Sequence, residues 1–330
     1  MASNRVKYMS KPYVFIARKI DKNGLEDLYR HCRVKMHNKT MPPARSVLLK
    51  EASRADALMT VLTEKIDREL LAVGKNLKIV ANYAVGFDNI DLAAAQRADV
   101  YATNTPGDLA GAVAEHAMAM ILALSKRLLE GDRFMRAGKY KAWDPILLLG
   151  NDVRGKTLGI IGTGRIGSAL VKIARAGFGM NILYHDVVKN PQIEKQYNAK
   201  RATLKVLLNQ SDAVSVHVPL LPSTRHLLGA AEFRQMKPSA VLVNTSRGPV
   251  IHEAALVVAL KKKAFAGAGL DVFEHEPKMA AGLKGLENVA LTPHIASATY
   301  EARREMAEIA VANILDVLIR GKAPRNELKP

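Results

Sequence analysis

The stretch KTLGIIGTGRIGSALVKIARAGFGMNILYHD, residues 156–186, constrains the chain more than any other. Gly162, Gly164 and Gly167 fall in G-x-G-x-x-G spacing, directly after the apolar run TLGII and at the start of an amphipathic stretch leading to a second run, NILYHD. A strand that turns on glycine into a helix and returns as a parallel strand is a βαβ unit, and that context separates the pattern from its many chance occurrences. The first glycine permits the tight turn, the second lets backbone approach a pyrophosphate, and the third lets helix and strand pack closely. The unpartnered N–H groups of the first helical turn then face the phosphates. Asp186 ends the second strand, where a carboxylate can accept from both ribose hydroxyls. This predicts NAD as the cofactor. NADP is the less favoured alternative, because its 2′-phosphate would meet the carboxylate, although Lys189 and Arg165 could soften the repulsion.

The unit belongs to a longer alternation of Val- and Ile-rich runs with amphipathic stretches, the pattern of parallel strands joined by crossover helices. YVFIA, VKMHN, ALMTVL, KIVANY and VYATN form a first series of five strands. TLGII, NILYHD, AVSVHV, AVLVNT, GAGLDV and VALTPH form a second. Between the series lies one long helical pattern, LAGAVAEHAMAMILALSKRLLEGDRFM, followed by the irregular RAGKYKAWDPILLLGNDVRG. The predicted fold class is α/β, with two Rossmann-like, doubly wound parallel sheets; the length of 330 residues suits two domains. The last helix, TYEARREMAEIAVANILDVLI, follows the second sheet and is free to return to the first.

Ligands of open α/β sheets bind at the carboxyl ends of strands. Three consecutive strand ends of the second series carry ionisable groups: Arg247 after AVLVNTS, Glu276 in GAGLDVFEHEP and His294 in NVALTPH. Singly, each has an ordinary reading, as a surface ion-pair partner, a solvated turn residue and a helix cap or core imidazole. Together, beside a nicotinamide, they supply what reduction of a 2-oxo acid needs. Arginine is the planar, permanently charged fork for a carboxylate. Histidine is a proton donor near neutral pH for a carbonyl oxygen becoming an alkoxide. A carboxylate behind the imidazole fixes its tautomer and favours its charged form, and Glu276 is suited to that. Gly248, directly after the arginine, is expected to leave room for the ligand. Gly86, in NYAVGFDN at another strand end, would let backbone N–H groups approach a carboxylate.

With these motifs the chain resembles the D-isomer-specific 2-hydroxyacid dehydrogenases, nearest their glyoxylate/hydroxypyruvate reductase branch. The likeness runs through VANYAVGFDNID, TNTPGDLAGAVAEHA, GKTLGIIGTGRIG, HVPL, NTSRGPVI, GAGLDVFEHEP and LTPHIASAT, in the family's order. Departures are Ala98 in RADV, where the family often has glycine, and Pro249. The resemblance implies a flavodoxin-like substrate (catalytic) domain from residues 1–105 and 298–330, a dinucleotide-binding domain from residues 106–297, and a homodimer. It carries over Arg247 as substrate clamp, Glu276 as the histidine's partner and His294 as general acid/base. It also puts Val85 and Gly86 at the substrate, and cofactor contacts on the glycine loop with Arg165 and Ile166, on Asp186, and on Thr245 and Ser246. The implied partner is a small anionic 2-oxo or 2-hydroxy acid, glyoxylate or hydroxypyruvate first. D-lactate-type and 3-phosphoglycerate dehydrogenases, and an NAD-sensing corepressor of the same fold, are the alternatives.

The remaining readings are exclusions. The net charge of +18 is scattered, with KKK at 261–263 ending a helix pattern, so an anionic small substrate is expected rather than nucleic acid. The single cysteine, Cys32, removes any disulfide framework or Cys-rich metal site and suits the cytoplasm; no metal is expected. Despite Arg5, Lys7 and Lys11, YVFIARKI is too short for a signal-peptide core and reads as the first strand, and AMAMILAL is too short to span a bilayer. His116 reads as helix packing, His185 and His217 as strand ends near the cofactor, and His275 as exposed. Trp143 is assigned either to a lid or to a dimer contact.

Overall fold

The apolar runs fold into two parallel sheets in the computed structural model, which describes residues 11–107 and 109–330; Arg5, Lys7 and Asp108 lie outside the described residues. The chain divides into two compact units, Met1–Asp108 with Thr299–Pro330, and Leu109–Ala298.

In the first unit the strands are β1 (Tyr13–Ile16), β2 (Arg33–Met36), β3 (Ala57–Thr60), β4 (Ile79–Asn82) and β5 (Tyr101–Thr103). Their order, β2-β1-β3-β4-β5, is the flavodoxin-like doubly wound order. Every residue of β1, β3 and β4 is buried, as a sheet covered by helices on both faces requires, which is why these runs are continuously apolar rather than alternating. The last helix, Tyr300–Leu318, does return: it packs on β3 and β4, capped at its start by Thr299, whose hydroxyl accepts from Ala302 N–H.

The second unit carries β6 (Thr157–Ile161), β7 (Asn181–His185), β8 (Lys200–Arg201), β9 (Ala213–Val216), β10 (Val241–Asn244), β11 (Gly267–Leu270) and β12 (Val289–Leu291). Their order is β12-β11-β10-β9-β6-β7-β8, the Rossmann order extended by one strand. β8 escapes sequence reading because it is two exposed, basic residues with no apolar run. One core, including Leu242, Phe233 and Phe265, fills one side of the sheet, and another, including Ile121, Leu158 and Tyr184, fills the other.

The single long helix expected after residue 108 is two helices, Leu109–Ser125 and Leu128–Arg136, bent by 63°. The cause is tertiary. The chain at Gly150–Asn151 docks on the end of the first helix, and Asn151 N–H takes the Ser125 carbonyl at 2.7 Å, while Arg127 turns into the left-handed region at φ 53°. No single helix among the described residues is long and apolar enough to cross a membrane.

Candidate active site

The glycine loop leaves β6 and turns at Gly162, whose φ of 92° disfavours any side chain. A Cβ on Gly167 would lie 2.1 Å from the Gly162 carbonyl oxygen, so the helix Arg165–Phe178 can begin this close to the strand only with glycine there. A Cβ on Gly164 would meet nothing within 4 Å. That end of the loop is open, Arg165 is exposed and Ile166 half-buried.

Asp186, at the end of β7, is tied to this loop. Its Oδ2 accepts from Thr163 N–H at 2.6 Å and from the Thr163 hydroxyl at 2.9 Å, and its Oδ1 accepts from Val188 N–H at 3.1 Å. Burial raises its carboxyl, but the bonds from Thr163, Val188 and Val187 outweigh that and hold it below the usual carboxylate range. The group is therefore an anion at neutral pH. Thr163, the buried residue that fastens the loop to the strand, went unnoticed in sequence because the x of G-x-G carries no required type.

Farther along the same edge, three adjacent strands carry the ionisable trio. Asn244, fully buried at the end of β10, builds the turn to Arg247: its Nδ2 donates to the Arg247 carbonyl at 3.0 Å, and its Oδ1 accepts from Ser246 N–H and hydroxyl. The Arg247 side chain is half-buried and donates from Nη1 to Ser246 O. Thr245 Oγ1 is buried with no hydrogen-bond partner among the described residues. An orphaned hydroxyl, an open glycine loop and an ionised carboxylate along one sheet edge fit a nicotinamide dinucleotide.

Glu276 follows β11 and His294 follows β12. His294 Nδ1 and Glu276 Oε2 lie 3.0 Å apart, and Glu276 Oε1 accepts from Phe273 N–H at 3.1 Å. Burial raises the Glu276 carboxyl; the bond and charge of His294, the Phe273 N–H and the Arg247 guanidinium together bring it below its ordinary value. The carboxylate thus exists throughout the pH range above the ordinary carboxylate value, and its contribution to the pair is lost only as pH falls through the lowered one. Arg247, Glu276 and His294 are brought together because they follow β10, β11 and β12, which are neighbours in space. Each side of the His294–Glu276 pair is just over one-third exposed, so a ligand can reach it.

His294 is held at φ 56°, an uncommon conformation for a residue with a side chain. What holds it is Asp271, which sequence reasoning passed over. This fully buried residue follows β11 and accepts from the Thr292 hydroxyl and from Ile295 and Ala296 N–H, while its carbonyl takes His294 N–H. The only signal was an acid closing the apolar run GAGL. His116 differs from its expected packing role: its Nε2 lies 3.1 Å from Thr292 Oγ1 and 3.7 Å from Asp271 Oδ1, making it part of the same support. Gly248 also differs. A Cβ there would stand 1.9 Å from the Phe273 carbonyl carbon and oxygen, so the missing side chain admits neighbouring backbone, not a ligand.

Val85 and Gly86 belong to the first unit. Their carbonyls accept from Asn104 Nδ2 and Asn82 Nδ2, and their N–H groups donate to no acceptor among the described residues. His185 Nδ1 faces Ala202 O, His217 faces Ser215 Oγ at 2.8 Å with its imidazole pushed down to about 4 by desolvation, and His275 is exposed.

Residues 118–296 match the family model described as the D-isomer specific 2-hydroxyacid dehydrogenase, NAD binding domain. A glyoxylate reductase of Thermococcus litoralis is 46% identical over 320 residues, covering 96% of each chain. Among solved structures, a protein from Thermus thermophilus superposes with a TM-score of 0.90 at 40% identity, covering 96% of this chain and 99% of that one. An NADPH-dependent glyoxylate/hydroxypyruvate reductase from Sinorhizobium meliloti, solved with NADP and malonate, superposes with a TM-score of 0.83 at 30% identity, covering 97% of each.

Proposed function

The chain belongs to the D-isomer specific 2-hydroxyacid dehydrogenases, and from that premise we propose that it reduces a small 2-oxo acid, glyoxylate first and hydroxypyruvate next, to the 2-hydroxy acid. The observation that carries this reading is the 3.0 Å His294–Glu276 pair beside Arg247, at three neighbouring strand ends of the sheet that bears the glycine loop. The Arg247 guanidinium binds the substrate carboxylate. With Nδ1 turned to Glu276, Nε2 of His294 is the nitrogen left to hand a proton to the carbonyl oxygen. A bound nicotinamide supplies the hydride. Gly162, Gly164, Arg165, Ile166 and Gly167 would hold its pyrophosphate and Asp186 its ribose, and Thr245 and Ser246 would add contacts beside Arg247. Val85 and Gly86 of the first unit, whose N–H groups have no acceptor among the described residues, are proposed as substrate contacts in their own right.

We assign Leu109–Ala298 as the dinucleotide-binding domain and Met1–Asp108 with Thr299–Pro330 as the substrate domain. NADH is preferred to NADPH, because the ionised Asp186 would repel a 2′-phosphate. A steady-state panel of glyoxylate, hydroxypyruvate, pyruvate and 3-phosphohydroxypyruvate with each cofactor tests both assignments. The expected result is the highest kcat/KM for glyoxylate with NADH; a clear preference for the phosphorylated acid or for NADPH would reject the corresponding one.

The protein is proposed to act as a cytoplasmic homodimer. The helix Leu128–Arg136 has no buried residue, and with the following segment it exposes Leu128, Met135, Trp143, Ile146 and Leu149, with Trp143 79% exposed. Such apolar surface is expected at an interface. Sedimentation should give twice the mass of one chain, and Trp143→Asp with Ile146→Asp should give the monomer; a monomeric wild type would refute the assignment.

A further inference from the structure

A second histidine–glutamate pair shares a loop with the proposed catalytic one. His226 Nε2 and Glu274 Oε1 are 2.6 Å apart, and Glu274 is two residues from Glu276 on the same loop. The Glu274 side chain is 10% exposed, against 34% for His226. Its other oxygen accepts from Glu253 N–H at 3.1 Å, while the buried Glu253 carboxylate accepts from Glu274 N–H at 2.9 Å and from Ala280 N–H at 3.0 Å. The two glutamates thus exchange backbone hydrogen bonds, and between them grip both ends of the loop that carries Glu276.

His226 also touches the loop carrying Arg247. Its N–H donates to Pro249 O at 2.8 Å, and the next strand-like contact, Leu228 N–H to Val250 O at 3.2 Å, continues the pairing. Gly248 meanwhile lies against the Phe273–Glu274 backbone so closely that no Cβ fits. One residue therefore bonds the turn after Arg247 through its backbone and the turn before Glu276 through its ring. His226 itself has φ 53°, and its ring stands 4.6 Å from that of His252, which caps the helix Glu253–Lys261 by accepting from Ala255 N–H. The charged and titratable groups around the pair are His252 at the His226 ring, and Glu253 and His275 at Glu274.

We propose that His226, acting through Glu274, is a positioning residue for reduction: it sets the loop that presents Glu276 to His294 relative to the turn that presents Arg247. The proposal rests on the function proposed above. The Glu276–His294 contact is a single hydrogen bond made by a loop residue, so a shift of a fraction of an ångström in residues 273–276 weakens it, and misplacement on the scale of about 1 Å costs large factors in rate. The second pair removes that freedom without touching substrate.

The test compares wild type, His226→Phe, His226→Gln and Glu276→Gln in glyoxylate reduction across about pH 5–9, with NADH binding followed separately by nicotinamide fluorescence. Phenylalanine keeps the ring against His252 and deletes the bond; glutamine can still donate to Glu274. In Glu276→Gln the kcat profile should lose its wild-type shape, since the carboxylate held below its ordinary value beside His294 and Arg247 is gone. His226→Phe should lose on the order of 10-fold in kcat with a smaller change in KM, and its profile should change in the same way. His226→Gln should recover most of the rate and the wild-type profile, and all four should bind NADH alike. A His226→Phe enzyme whose profile keeps its wild-type shape, whatever its rate or stability, overturns the positioning role. If that variant does not fold, His226→Asn, which suits a positive φ and is too short to reach Glu274, carries the same expectation and the same refutation. Wild-type behaviour of Glu276→Gln would bring down the proposed function, and this role with it. The expected Glu276→Gln result beside an unaltered His226→Phe profile would bring down this role alone.

Discussion

Replacing His294 with asparagine is expected to lower kcat by about 10²–10⁴-fold, the usual cost of deleting a general acid. Asparagine is the informative substitution because residue 294 sits at φ 56°, where asparagine is among the best tolerated residues with a side chain, and because its amide can still donate to Glu276. The turn built by Asp271, Thr292 and His116 should therefore survive, and only the proton at the far side of the ring is lost. Nicotinamide fluorescence should report unchanged NADH binding, since the glycine loop lies on β6, away from β12 in the sheet. Retention of more than about a tenth of the wild-type kcat would remove His294 from its proposed role.

The second large effect is expected at Arg247. Arg247→Ala should lower kcat/KM for glyoxylate on the order of 10²–10³-fold, because truncating one partner of a charge-assisted carboxylate contact costs several kcal/mol. The loss should appear in KM as well as kcat, which distinguishes a binding group from a proton donor. Arg247→Lys should recover little, because an ammonium lacks the planar fork. The arginine also stabilises the Glu276 carboxylate, so the alanine variant should reveal a second, smaller effect on the acid side of the profile, where Glu276 would take up its proton at a higher pH than in wild type. Equal kcat/KM values for wild type and Arg247→Ala would refute the clamp.

Some of this architecture was open to reading from residue order. Short apolar runs announce parallel strands, and eleven such runs became strands in the two sheets; β1, β3, β4, β9, β10 and β11 are the plainest, because burial on both faces leaves them no polar positions to blur the run. The glycine loop was legible for a related reason: Gly162 and Gly167 stand where a side chain is disfavoured by φ or would strike backbone. The failures have their own physical causes. The break at Arg127 depends on Asn151 N–H capturing a carbonyl from a distant part of the chain, and helical periodicity contains no trace of that. The exposed β8 lacked the hydrophobic signature, and Gly248 was read as making room for a ligand when it makes room for Phe273.

The sequence by itself determined the fold class, the glycine loop and the three strand-end residues Arg247, Glu276 and His294, because each depends on local pattern: period, spacing and position after an apolar run. Only the tertiary structure decided how those residues are held. Asn244 builds its turn locally, but Asp271, Thr163, His116 and the His226–Glu274 pair act across separations of 21 to 176 residues, by hydrogen bonds whose partners are neighbours only because the fold brings strand ends, loops and a helix together. Local pattern chooses the reactive side chain, whereas the bonds that aim it are made by whichever residues the folded sheet sets beside it.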